Sequence, residues 1–191
     1  MNQRNLLEVD WSKIPAPTDD GAAAHLVGMT IPPISLVATD DTSVTLSALS
    51  GRTVVFAYPR TGEPGKIALV DDWDMIPGAR GCTPQTCAFR DLFAELKAAG
   101  AAQVFGLSTQ SNAYQAEMAA RLHLPFPVLS DEPLKLTRAL DLPAMQVAGL
   151  TLIKRLALIV DDARITHVFY PVFPPDRNAG DVLAWLKENP V

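Results

Sequence analysis

The stretch Arg80-Gly-Cys-Thr-Pro-Gln-Thr-Cys-Ala-Phe-Arg-Asp91 holds the only two cysteines of the chain, Cys82 and Cys87, with Arg80 before the pair and Arg90 after it. A thiol reacts as its thiolate, and a free cysteine titrates near about 8.5, so a reactive one needs surroundings that stabilise the anion. From Pro84 to Ala99 the apolar residues Phe89, Leu92, Phe93 and Leu96 recur at helical spacing, and Gly100 supplies a stop. Cys82 therefore falls at the mouth of a helix. There the first backbone N–H groups lack intrahelical acceptors and the helix dipole favours negative charge.

Three chemistries compete for such a pair. A cysteine in an apolar helix can be an inert packed residue. A zinc site wants about four ligands in tetrahedral array, and His25, His123 and His167 stand far apart without ligand spacing, so no metal is expected. A redox pair carries a geometric demand. Five residues of ideal helix give about 7.5 Å of rise and roughly 140° of rotation, hence a Cα separation of about 8–9 Å, whereas a disulfide needs less than about 7 Å. A Cys82–Cys87 bond would require the first helical turn to unwind.

The elements that must position these thiols can be read along the chain. Residues 1–30 are polar and rich in turn formers (Pro15, Pro17, Asp19, Asp20, Gly21) and read as an arm, with a single domain over 31–191. Ile34–Val37 and Thr42–Leu46 alternate as a hairpin around Asp40-Asp41, and Thr53–Tyr58 is an apolar run suited to a strand buried on both faces. An inserted loop follows at about 60–80, with Pro59, Pro64 and Pro77; loops of this length are often functional, and a lid or partner surface is expected. Its Asp71-Asp72-Trp73-Asp74 run reads as a solvated acidic segment with one packing tryptophan.

Val104–Ser108 is a second buried strand, and Ser111 or Asn112 can cap a helix to about Leu122. Phe126–Leu129 is a short strand before a helix through Leu134, Leu136 and Leu140. Leu150–Val160 and Ile165–Tyr170 read as one hairpin, and Asn178 as the cap of a closing helix. This order predicts an α/β protein with a central mixed β-sheet flanked by helices: a thioredoxin-like fold with an N-terminal hairpin extension.

At 191 residues and 48% apolar content, the chain suffices for one α/β core but not for two full domains. Its 16 basic against 21 acidic residues leave a net charge of −5, so no overall field draws it to nucleic acid or anionic lipid. No window nears the roughly 18 apolar residues of a membrane span, and the opening residues lack a basic-then-apolar leader. The expectation is a soluble, cytoplasmic protein, monomer or homodimer, with no nucleic-acid or membrane partner. Two close cysteines in such a chain point to working thiols rather than a disulfide scaffold.

Several segments together resemble the peroxiredoxins: Tyr58-Pro59, Gly81–Asp91, Phe105–Thr109, Pro125–Asp131 and Lys154–Asp161. The cysteine stretch is similar to the GCT-x-x-x-C-x-x-R-D signature of the Q-type, bacterioferritin-comigratory group. The resemblance runs from about Ile34 to the C-terminus. It implies a thioredoxin-like fold and reduction of hydrogen peroxide or organic hydroperoxides, without metal, flavin, haem or other cofactor. It also implies that Cys82 is peroxidatic, that Cys87 is resolving, and that Arg155 stabilises the thiolate and the peroxide. Thioredoxin or a similar dithiol would be the reductant.

The family pattern Pro-x-x-x-Thr-x-x-Cys is broken here, because Ala79 stands three residues before Cys82 and an insertion separates Pro59 from it. Thr61 and Thr83 are the candidates to supply the substrate hydroxyl. Two other readings stay open at this level: a thiol–disulfide oxidoreductase or redox sensor, which tighter cysteine spacing would favour, and a non-catalytic thioredoxin-fold interaction module.

Overall fold

The computed structural model describes residues 9–191, so residues 1–8 of the expected arm lie outside the described residues. The strands are β1 (Ser35–Ala38), β2 (Ser43–Thr45), β3 (Arg52–Ala57), β4 (Gln103–Ser108), β5 (Val128–Ser130), β6 (Ala144–Val147), β7 (Leu150–Ile153), β8 (Leu156–Asp161) and β9 (Arg164–Phe169). The α-helices are α1 (Cys82–Asp91), α2 (Phe93–Ala98), α3 (Asn112–Arg121), α4 (Lys135–Ala139) and α5 (Asn178–Glu188).

Seven strands form one mixed sheet in the order β2-β1-β5-β4-β3-β8-β9, and β6 and β7 pair separately. The centre is parallel (β3 with β4, β4 with β5), while β8 and β9 add antiparallel strands beside β3. Every residue of β3 is buried, since helices and loops cover both faces. Its pleat sends Val55 and Ala57 into one core layer with Leu107, Leu129 and Leu136. Val54 and Phe56 enter the other, with Phe89, Leu96, Met118 and Val182. This is the thioredoxin-like α/β fold expected.

This second layer is fastened by Phe56, whose ring stacks on Phe89 of α1 at 4.0 Å and meets Phe126 edge-on at 5.6 Å. Gly106 of β4 makes room for it: a Cβ there would stand 3.2 Å from the Phe56 ring. The stack fixes the middle of α1 to the central strand and so sets the height of Cys82 at the helix start.

Three expectations are corrected. Leu150–Val160 is not one strand. Ala148 and Gly149, with φ of 49° and 77°, form a primed-type turn joining β6 to β7, and the chain leaves that hairpin at Lys154-Arg155 before entering β8. The helix predicted through Ala99 is two helices that break at Leu92, with Gly100 (φ 105°) closing the second. Asn178 does not cap α5; it is the first helical residue, its side chain is buried, and a turn at Pro175–Arg177 precedes it. The stretch read as an arm also enters the core: Leu26 is fully buried there, and residues 28–31 exchange backbone hydrogen bonds with Ala163 and Ile165.

The insertion at 60–80 folds onto the separate hairpin. Trp73 and Ala79 form a small core with Val147 of β6 and Leu152 of β7, and Leu69, Val70 and Ile76 pack against its edge. Asp71 and Asp72 face solvent, so the acidic run is a solvated face carried on a packing tryptophan.

Candidate active site

Cys82 is the first residue of α1, and Gly81 before it adopts φ 102°, a left-handed conformation that glycine takes without strain. The Thr86 hydroxyl donates to the Cys82 carbonyl at 2.9 Å and knits the first turn. The sulfur is buried and donates to the Ala79 carbonyl at 3.4 Å.

Arg155, between β7 and β8, is only 2% exposed, and its Nη2 stands 3.3 Å from Cys82 Sγ. The same nitrogen donates to the carbonyls of Gly78 (3.1 Å), Ala79 (3.3 Å) and Arg80 (3.0 Å), while Nη1 donates to Gln85 Oε1. Gln85 Nε2 in turn donates to Asn178 Oδ1 at 2.9 Å, tying α1 to α5. Hydrogen bonds of this kind offset the cost of burying a guanidinium. None of these partners is a carboxylate, so the full positive charge is left to act on the sulfur and on whatever the sulfur attacks.

The other two arginines near the cysteines are engaged elsewhere. Arg90 pairs with Asp91 at 2.8 Å and donates to the Leu122 carbonyl at 3.1 Å. Arg80 lies 3.8 Å from Asp74. Arg155 is therefore the arginine that faces Cys82.

Cys87 is a free thiol on the same helix, also buried. Burial pushes its thiol above the ordinary value and Asp91 adds to the rise, against the opposing pull of Arg90 and Arg121. Tyr58 is fully buried and donates to Gln115 Oε1 at 3.2 Å; burial first, then negative charge at Cys82, drive its phenol far up, so it stays a proton donor at neutral pH.

Cys82 opens onto a cavity of about 300 Å³ that the insertion helps to wall. Ile67, Ala68, Leu69 and Trp73 make one side apolar, and Arg60, Lys66 and Arg80 place three cationic side chains along it. Thr61 and Thr83 both line this cavity with Cys82, as their candidacy requires. The Thr61 hydroxyl and N–H donate to Gln110 Oε1 at 3.1 and 2.9 Å, which fixes that residue beneath the cavity. Ala79 contributes its carbonyl to Cys82 and Arg155, while its methyl sits in the small core with Trp73.

The sequence alone gives Gln85 no role and Asn178 only that of a helix cap. Gln85 lies three residues after Cys82, on the same helical face, so the spacing could have found it; no local signal marked Asn178. The histidines take no part in this site. His25 donates to the Leu140 carbonyl, His123 is exposed, and His167 stacks on Trp185. Among the described residues, no group of three or more His, Cys, Asp or Glu is arranged to hold a metal ion.

Cys82 thus stands at a helix N-terminus beside a buried arginine, on a mixed thioredoxin-like sheet. The redoxin family model matches residues 26–183, and the chain belongs to this family, in its peroxiredoxin Q group. It is 32% identical over 162 residues to the chloroplastic peroxiredoxin Q of Oryza sativa subsp. japonica, covering 84% of this chain and 66% of that protein. The identity is again 32% over 162 residues to chloroplastic peroxiredoxin Q of Sedum lineare, covering 84% of this chain and 77% of that one. The chain thus spans just under two thirds of the rice relative. Among solved structures it is similar to the peroxidoxin BcpB of Mycobacterium tuberculosis, with 27% identity and a TM-score of 0.68, over 86% of this chain and 98% of that one.

Proposed function

We propose that the protein is a thiol-dependent peroxidase that reduces hydrogen peroxide or organic hydroperoxides, with Cys82 as the peroxidatic residue. The observation that carries this reading is the 3.3 Å approach of Arg155 Nη2 to Cys82 Sγ at the start of α1, beside an open cavity. The peroxiredoxin Q relatives support it.

The Cys82 thiolate attacks the terminal oxygen of the hydroperoxide; the S–O bond forms as the O–O bond breaks. The sulfur becomes a sulfenic acid, and the leaving oxygen departs as water or an alcohol after taking a proton. Arg155 holds positive charge where negative charge spreads from sulfur to the leaving oxygen, and its fixed partners spare it reorganisation during the step. Thr61, whose proton is given to Gln110, keeps lone pairs to accept from the hydroperoxide O–H; Thr83 is the second hydroxyl at the cavity. The insertion supplies the apolar wall for an organic substituent.

Cys87 is the resolving residue. Its thiol condenses with the sulfenic acid, releasing water and forming the Cys82–Cys87 disulfide once the first turn of α1 has unwound. An external dithiol of the thioredoxin type then restores both thiols by exchange. The setting is cytoplasmic; among the described residues no helix is long and apolar enough to cross a membrane.

The test is to mix reduced protein anaerobically with one equivalent of hydrogen peroxide or cumene hydroperoxide and follow thiols and intact mass. Wild type is expected to lose both thiols, Cys87→Ser to accumulate sulfenic acid, and Cys82→Ser to stay unreacted. If Cys82→Ser consumes peroxide as fast as wild type, the assignment is wrong.

A further inference from the structure

The first turn of α1 must leave its place before Cys87 can reach Cys82, and Gly81 is the residue at which it would unwind. Two side chains lie directly on Gly81. Trp11 Cη2 and Pro175 Cγ each stand 2.6 Å from the position a Cβ on Gly81 would occupy, so the backbone there is covered closely from above. Trp11 comes from a short helical turn, Trp11–Lys13, in the N-terminal segment, upstream of residue 26 where the match to the redoxin family begins.

Trp11 is held by what surrounds the same helix mouth. Its Nε1 donates to Asp176 Oδ2 at 2.9 Å, and its ring meets Phe173 edge-on at 6.0 Å. Asp176 belongs to the Pro175–Arg177 turn that leads into α5, where Asn178 receives the hydrogen bond from Gln85. Its neighbours Asp10, Ser12 and Lys13 face solvent and Trp11 itself is half-buried, so the clamp rests on these few contacts and can be lifted without opening the core.

We propose that Trp11 is a positioning residue that clamps Gly81 and holds α1 wound, and thereby sets the rate at which a sulfenic acid on Cys82 is resolved by Cys87. The inference rests on the peroxidase reading above. It separates the two chemical steps. Attack on peroxide needs Cys82 in place beside Arg155, a contact made from the segment between β7 and β8 rather than through Trp11. Disulfide formation needs Gly81 and Cys82 to move, and that motion is opposed while the indole lies on Gly81. A slow second step leaves the sulfenic acid open to a second hydroperoxide, which oxidises it to sulfinic acid and leaves as water or alcohol. The clamp thus sets the partition between disulfide and sulfinic acid.

The experiment compares wild type with Trp11→Ala, Trp11→Phe and Asp176→Ala, each checked for native circular dichroism. Sulfenic acid formation is timed in the Cys87→Ser background and disulfide formation with both cysteines present. With one aromatic face and one hydrogen bond removed, Trp11→Ala is expected to form the disulfide roughly tenfold faster. It should also yield less sulfinic acid at a given peroxide excess, with the first step unchanged. Trp11→Phe, which keeps a ring over Gly81, should recover most of the wild-type rate, and Asp176→Ala should fall between.

A parallel arm oxidises the reduced proteins with diamide, which takes two electrons and two protons from the thiol pair as it becomes the hydrazide. This reaction needs the same unwinding but no peroxide chemistry. Equal rates for Trp11→Ala and wild type in both arms would overturn the clamp, as would a first step slowed along with the second. If Cys87→Ser never forms sulfenic acid, the peroxidase reading fails instead, and the diamide rates alone decide for or against the clamp.

Discussion

Arg155 Nη2 lies 3.3 Å from Cys82 Sγ and spends its remaining donor capacity on three backbone carbonyls, Gly78, Ala79 and Arg80, just ahead of α1. One guanidinium thus both charges the site and holds the segment that leads into α1. Arg155→Lys keeps the charge but loses the planar fork that spans sulfur, carbonyls and Gln85. The rate of sulfenic acid formation is expected to fall about 10²–10³-fold in Arg155→Gln and nearly as far in Arg155→Lys. Stopped-flow single turnovers with hydrogen peroxide check this, and a lysine variant within threefold of wild type would show that charge alone suffices.

Cys87 makes a contrasting prediction. Burial raises its thiol, so in the folded helix it is protonated at neutral pH and poorly nucleophilic. In Cys82→Ser protein, alkylation of Cys87 by iodoacetamide should be slow at pH 7 and should climb only at pH values above the ordinary thiol range. Urea at a concentration that unfolds the chain should remove the delay. Rapid alkylation of the folded protein at pH 7 would contradict the burial argument.

Much of this site could be read from residue order, for physical reasons that also mark where the reading stopped. Cys82 at a helix mouth followed from the apolar spacing of Phe89 to Leu96, and the β3 run announced itself by being apolar throughout. The β6–β7 hairpin was hidden because Leu150–Val160 is almost continuously apolar, and periodicity does not separate one long buried strand from two short ones. The break falls at Lys154-Arg155, the two charged residues in that run, and the turn there is what aims Arg155 at the sulfur. The packing of the insertion is hidden for the opposite reason. Leu69, Val70, Trp73 and Ile76 are spaced for neither helix nor strand, and only the partner hairpin gives them a surface to bury against. Residue type suggests a cap at Asn178, yet its side chain accepts from Gln85, a partner 93 residues away in sequence.

Ala79 shows why restoring a family residue by sequence position is not expected to help. Its side chain is fully buried with Trp73, Val147 and Leu152, while its carbonyl serves Cys82 and Arg155. Ala79→Thr adds a methyl and a hydroxyl to a packed apolar contact, which should cost about 1–3 kcal/mol of stability. Peroxidase activity should stay level or drop. Denaturant unfolding followed by Trp fluorescence measures the first, and a rate gain with unchanged stability would show that the hydroxyl points at the sulfur after all.

Acid stability should fall in two stages, read from two neighbouring strands. His167 of β9, stacked on Trp185 at 4.9 Å, is pulled below its ordinary value by burial. The unfolded chain then takes up a proton that the folded state resists, so stability declines as pH drops through about 6.5, the value for an unperturbed histidine. Asp161 of β8 is held below the usual carboxylate range chiefly by its hydrogen bonds from Arg52, with burial opposing. That contribution is complete above the unfolded carboxylate value near ~3.9 and is lost as pH falls through the depressed folded value. Urea midpoints from pH 8 to pH 3 should therefore show a shallow decline and then a steeper one. His167→Phe, which keeps a ring against Trp185 and Phe169, should remove the shallow stage alone, and Asp161→Asn should lower the plateau and blunt the steep stage. A His167→Phe curve that still follows wild type between pH 7 and 5.5 would assign the first stage to another group.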